Sequence, residues 1–145
     1  MNNSNEGTSG MTIKRRFTTI GEDPFETFEW VTTDLEIRNM DGTVADNMLG
    51  VCFPSGFEGV PGTVAAQKYL RKAGVPAVLR PVPEEGVPTW LQRSAPDEEK
   101  LQNLEASERF IAETDFRQMF RRLAGTWTYW GWKYGYFASE EDARS

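Results

Sequence analysis

The sequence predicts a small α+β domain, mostly helical, with one N-terminal β-hairpin. Three observations carry that reading. Between Glu29 and Arg38 apolar and polar residues alternate, the period of a strand with one buried face. Between Phe116 and Trp130 large apolar residues recur three and four positions apart, the period of a helix. The whole chain has 145 residues, enough for one domain of about 100–200 residues and too few for a comfortable second.

Taken in order, residues 1–10 carry no apolar side chain after Met1, so they cannot offset the entropy of ordering. A disordered tail is expected over 1–13 and the folded domain over 14–138. Lys14, Arg15 and Arg16 stand beside Phe17 and Ile20 and read as a short extended arm with solvated charges. The first strand then places Val31, Thr33, Leu35 and Ile37 on one face. Asn39, Asp41 and Gly42 supply turn chemistry, and Thr43–Leu49 returns as the second strand. The Gly- and Pro-rich stretch 50–62 reads as a loop. A helix is expected over Val64–Ala73, capped by Gly62 or Thr63 and closed by Gly74 at its C′ position.

Residues 75–96 carry five prolines and read as an irregular connector anchored by Trp90 and Leu91. Pro96 is expected at the first position of a short helix whose first turn holds Asp97, Glu98 and Glu99. Thr114 is the expected cap of the long helix. Its apolar face is Phe116, Met119, Phe120, Leu123, Trp127 and Trp130, worth on the order of 12 kcal/mol of burial before entropy at roughly 2 kcal/mol per side chain. That face asks for a large partner surface, so these six residues form the candidate docking face. Ser139 with Glu140, Glu141 and Asp142 marks a further helix start, and residues 139–145 read as the opening of a truncated helix.

Composition narrows the chemistry. There is no histidine and one cysteine, which removes the commonest general base, the commonest metal ligand and any intrachain disulfide. No run of about 18 apolar residues marks a membrane span, and no signal peptide opens the chain. A soluble cytoplasmic protein is expected. The net charge of −6 disfavours polyanions. Glu98/Glu99 and Glu140/Glu141 point about 100° apart on a helix and form no acid–base pair. Cys52 lacks an activating base and reads as a half-buried hydrophobe. Gly56, Gly59 and Gly62 precede a helix, but Pro61 removes a donor that a phosphate loop would use. Residues 117–136 interleave Arg and Lys with Trp and Tyr, the chemistry of a single-strand nucleic-acid or protein-binding module; the same rings follow the helical stripe, which favours core and interface. No catalytic, cofactor-binding or metal-ligating residue is expected on the chain.

As strings, QKYLRKAGVP (67–76), EEGVPTWLQRSAPDEE (84–99) and RLAGTWTYWGWKYGYFASEEDAR (122–144) resemble the N-terminal region of class II ribonucleotide reductases, the adenosylcobalamin (vitamin B12)-dependent enzymes. FTTIGEDPFETFEWVTTDLEIRN (17–39) is similar to the family's opening, and VCFPSGFE (51–58) sits where the family has a Val-x-Val-Pro stretch. The resemblance covers about residues 14–144. It implies a role in making deoxyribonucleotides for DNA, by radical replacement of a ribose 2′-OH on a cysteine-bearing α/β barrel. None of the family's catalytic motifs lies in the matched region, and Cys52 corresponds to none of its cysteines. The implied reading is an N-terminal domain or split piece, inactive alone, whose partner is the catalytic barrel portion. Adenosylcobalamin belongs by that resemblance to the parent enzyme and not to this chain.

Overall fold

A computed structural model describes residues 10–145, so residues 1–9 of the expected tail lie outside the described residues. The first long element is a hairpin of β1 (Trp30–Arg38) and β2 (Val44–Pro54). Its turn closes with the Asn39 N–H on the Thr43 carbonyl and Gly42 at φ 84°. Strand β2 runs five residues past the expected end at Leu49. Gly50 marks a bulge and not a loop: it sits at φ 63° opposite Asp34, whose carboxylate accepts its N–H at 2.8 Å. A bulge adds one residue and leaves the ladder running. Val51 and Phe53 beyond it are fully buried.

Helix α1 is Val60–Tyr69, shifted four residues toward the N-terminus from the expected 64–73. Gly59 caps it at φ 78° and Pro61 lies in its first turn, where a missing N–H costs nothing. Gly62 allows the helix to close on the preceding turn, because a Cβ there would lie 2.4 Å from the Phe57 carbonyl oxygen. Leu70 turns extended and is buried, so Gly74 serves the following turn and not the helix C′ position.

The proline-rich stretch is more regular than expected. Strand β3 (Val75–Pro76) pairs with β6 (Phe110–Ile111), and β4 (Leu79–Pro81) pairs with β5 (Ser94–Pro96). Their prolines sit in two- and three-residue ladders, the short edge settings that tolerate them. Between β5 and β6 lies helix α2 (Glu98–Gln102), capped by Asp97 accepting the Lys100 N–H. Pro96 thus lies outside the helix and not at its first position.

Helix α3 (Phe116–Lys133) starts from Asp115, one residue after the expected Thr114. Asp115 accepts the Arg117 N–H at 2.8 Å, and Gln118 reaches back to the Thr114 and Asp115 N–H groups at 3.1 Å. This reciprocal cap outcompetes a lone threonine. Helix α4 (Glu140–Arg144) begins at Ser139 as expected. The core joins Leu35, Val51, Phe53, Ala66, Leu70, Phe116 and Met119, so the hairpin, α1 and the first half of α3 share one interior. Helix makes up 35% and strand 24%; the domain is α+β with a hairpin and four helices, but it is not mostly helical. The excess strand comes from the extension of β2 and the short proline-bearing ladders.

Candidate functional site

The six residues expected to form one docking face divide between two environments. Phe116 and Met119 are 1% and 5% exposed, packed under the hairpin and α1 in this chain's own core. They are therefore not available to a partner. Leu123 is half-buried against the same core, and Phe120 lies at its rim, its ring 6.2 Å from Phe116 and 6.4 Å from Phe25. Trp127 and Trp130 are different, at 63% and 54% exposed. The stripe is continuous in sequence, but its cover ends after two helical turns.

Beyond Leu123 the helix is closed on one flank only. Tyr129 donates to Glu84 at 2.7 Å, Lys133 reaches the same carboxylate at 2.5 Å, and the Trp132 indole N–H donates to the Gly86 carbonyl at 2.7 Å. The Lys133 and Tyr129 hydrogen bonds hold Glu84 below the usual carboxylate range, and the same contact raises the Tyr129 phenol. On the open flank Trp127, Trp130, Tyr134 and Tyr136 line a shallow depression of about 450 Å³ with Gly131 and Phe137. Gly131 makes this shape possible: a Cβ there would lie 2.6 Å from the Phe137 ring. Tyr134, Tyr136 and Phe137 escaped the periodic reading because the helix ends and Gly135 reverses the chain at φ 68°. The density of rings across 127–137 was the available signal.

The basic residues interleaved with these rings are each paired within the chain. Arg117 meets Asp115 at 2.5 Å, Arg121 faces Asp23 at 3.6 Å, Arg122 meets Glu113 at 2.9 Å and Lys133 holds Glu84. Arg117 also approaches Cys52 Sγ at 3.7 Å and lies over the Trp30 ring, so the fold brings to the half-buried cysteine a cation that Asp115 already engages. Glu58 accepts the Gly56 N–H at 2.6 Å, placing a carboxylate within the glycine run. Glu140 and Glu141 separate, the first to Trp90 and Arg144, the second to Arg15. Arg15 is thus anchored and not simply solvated.

The same end of the molecule holds the chain's N-terminal arm. The Met11 N–H donates to the Tyr136 carbonyl at 2.6 Å, and Ala138 returns a bond to Met11 at 3.0 Å. Buried Asp142 accepts the Ile13 N–H at 2.7 Å. Among the described residues no group of His, Cys, Asp and Glu is placed to hold a metal ion, and no helix is long and apolar enough to cross a membrane.

Such a surface belongs to a binding module: aromatic, shallow and framed by satisfied ion pairs. Residues 31–145 match the family model described as class II vitamin B12-dependent ribonucleotide reductase. The vitamin B12-dependent ribonucleotide reductase of Bradyrhizobium diazoefficiens is 49% identical over 135 residues, covering 93% of this chain and 11% of the relative. That of Agrobacterium fabrum is 49% identical over 133 residues, covering 92% and 10%. The chain belongs to the class II vitamin B12-dependent ribonucleotide reductase family and corresponds to the N-terminal part of these relatives. It spans about a tenth of their length.

The family name implies cobalamin, whose large corrin needs a concave site with several convergent polar groups. The depression beside α3 is open and lined by rings, and that beside Gly10, Met11, Gly135 and Tyr136 is smaller and open as well. These residues do not fit the cofactor.

Proposed function

We propose that this chain serves as the N-terminal module of a cytoplasmic, vitamin B12-dependent ribonucleotide reductase, and that reduction of ribonucleotides to deoxyribonucleotides requires the catalytic portion of that enzyme. Adenosylcobalamin and the reacting cysteines then belong to the catalytic portion, which is the module's partner. The observation that carries this reading is 49% identity sustained over 93% of the chain, against only 11% of the relative's length. A module without histidine and with a single half-buried cysteine contributes binding surface and position. Reduction of the substrate by a dithiol needs two further cysteines, which this chain does not carry.

The test is an assay of ribonucleotide reduction with adenosylcobalamin and a dithiol. The chain alone is expected to give no turnover. A chimaera in which it replaces the matching segment of the Bradyrhizobium diazoefficiens enzyme is expected to be active. Turnover by the chain alone, or an inactive but folded chimaera, overturns the reading.

A further inference from the structure

Trp127, Trp130, Tyr134 and Tyr136 are exposed together around one depression, although large contiguous apolar patches are uncommon on proteins that act alone. Trp and Tyr are also the side chains most enriched where interfaces concentrate their binding energy. The patch adjoins Phe137, the residue leading toward α4. That short helix is tied down from two other elements: Ile13 and Arg15 bind Asp142 and Glu141, while Trp90 donates to Glu140 and lies 4.3 Å under the Arg144 guanidinium. Chain leaving α4 is therefore delivered from a rigid base beside the rings. In the relatives, which this chain matches in their N-terminal part, most of the polypeptide lies beyond the matched region.

We infer that the occupant of this patch is the catalytic portion of the reductase, seated on Trp127, Trp130, Tyr134 and Tyr136; the inference rests on the module reading above and names its surface. The docking face is thus the second half of α3 with the turn after it, and the first half of the predicted stripe stays in the core. The partner surface is apolar with hydrogen-bonding groups for indole N–H and phenol O–H. A polyanion is disfavoured because the cations along α3 are paired, and a second copy because each carries a net charge of −6.

Hydroxyl-radical labelling read residue by residue tests this on the isolated chain and on the chimaera. Oxidation of the four rings is expected to fall severalfold in the chimaera, while exposed Phe17 and Met40 label equally in both. Equal labelling of the four rings overturns the face, and does so without touching the module reading if the chimaera turns over. Protection without turnover supports the face and counts against the activity. The double variant Trp127→Ser/Trp130→Ser is expected to bind the separately produced catalytic portion about tenfold more weakly or worse; unchanged binding overturns the proposal. Concentration-dependent protection in the isolated chain would assign the patch to a second copy and also overturn it.

Discussion

Glu113 shows what one carboxylate can hold together. It is buried, accepts two hydrogen bonds from Arg122 at 2.9 and 3.0 Å, and accepts the Arg71 N–H at 2.9 Å, while Arg122 also donates to the Tyr69 carbonyl. The end of α1 is thereby tied to the middle of α3. Burial pushes the Glu113 carboxyl up, but the Arg122 guanidinium and the Arg71 amide outweigh it, and the group sits below its usual 4.5. A depressed folded value means the unfolded chain binds more protons in that window, so stability rises with pH through it. The contribution is present above about pH 4.5 and is lost as pH falls through the folded value. Urea unfolding at stepped pH is expected to show a flat plateau from pH 6 to 8, where no histidine titrates, and a decline in acid. Arg122→Met is expected to cost about 3 kcal/mol at neutral pH by leaving a buried carboxylate unpaired, and to steepen neither limb in the plateau.

Among the elements, α3 and α4 differ most in what sustains them. The first half of α3 is held by its cap and by the core, and the second by the contacts of Tyr129, Trp132 and Lys133 with residues 84–86. Five-residue α4 is far shorter than an isolated helix needs, so it depends on its cap and its tethers. Ser139 accepts the Asp142 N–H and its hydroxyl also reaches the Asp142 carboxylate. Ser139→Ala is expected to raise hydrogen exchange at Asp142 and Ala143 severalfold while leaving the global urea midpoint close to wild type. Loss of a cap costs about 1 kcal/mol, and at a chain end that cost is confined to a local opening. Trp90→Ala is expected to have the same local effect from the other side, since it removes both the Glu140 hydrogen bond and the Arg144 stack. A fall in the global midpoint by either variant would show instead that α4 belongs to the main cooperative unit.

At the scale of the whole molecule, one interior couples elements far apart in sequence. Phe53 on β2 and Phe116 on α3 are both essentially fully buried with ring centroids 5.8 Å apart, and Ala66 and Leu70 close the same cluster from α1 and its end. Phe53→Ala is expected to destabilise by about 3–5 kcal/mol, with strand and helix signals lost in one transition when unfolding is followed by circular dichroism and by fluorescence. Separate transitions would show that hairpin and helices fold apart. The legible parts were those with strong local rules: the alternation in β1, the helical period of α3, and the Ser139 cap. Gly50 and Pro61 misled because their local meaning is ambiguous. A glycine between polar residues marks a loop or a bulge according to what lies across from it, and a proline ends one helix or opens another.

The candidate site divides along the same line. From its residues alone this chain declares its α+β class, its shortage of groups able to run chemistry, and a ring-rich helical stripe ending among tryptophans, because period, composition and capping act over a few neighbouring residues. Whether a given ring on that stripe is sealed or open depends on where the hairpin and α1 stop covering the helix. That boundary, which buries Phe116 and Met119 and leaves Trp127 and Trp130 in water, arises from contacts between segments some sixty residues apart, and no local pattern encodes it.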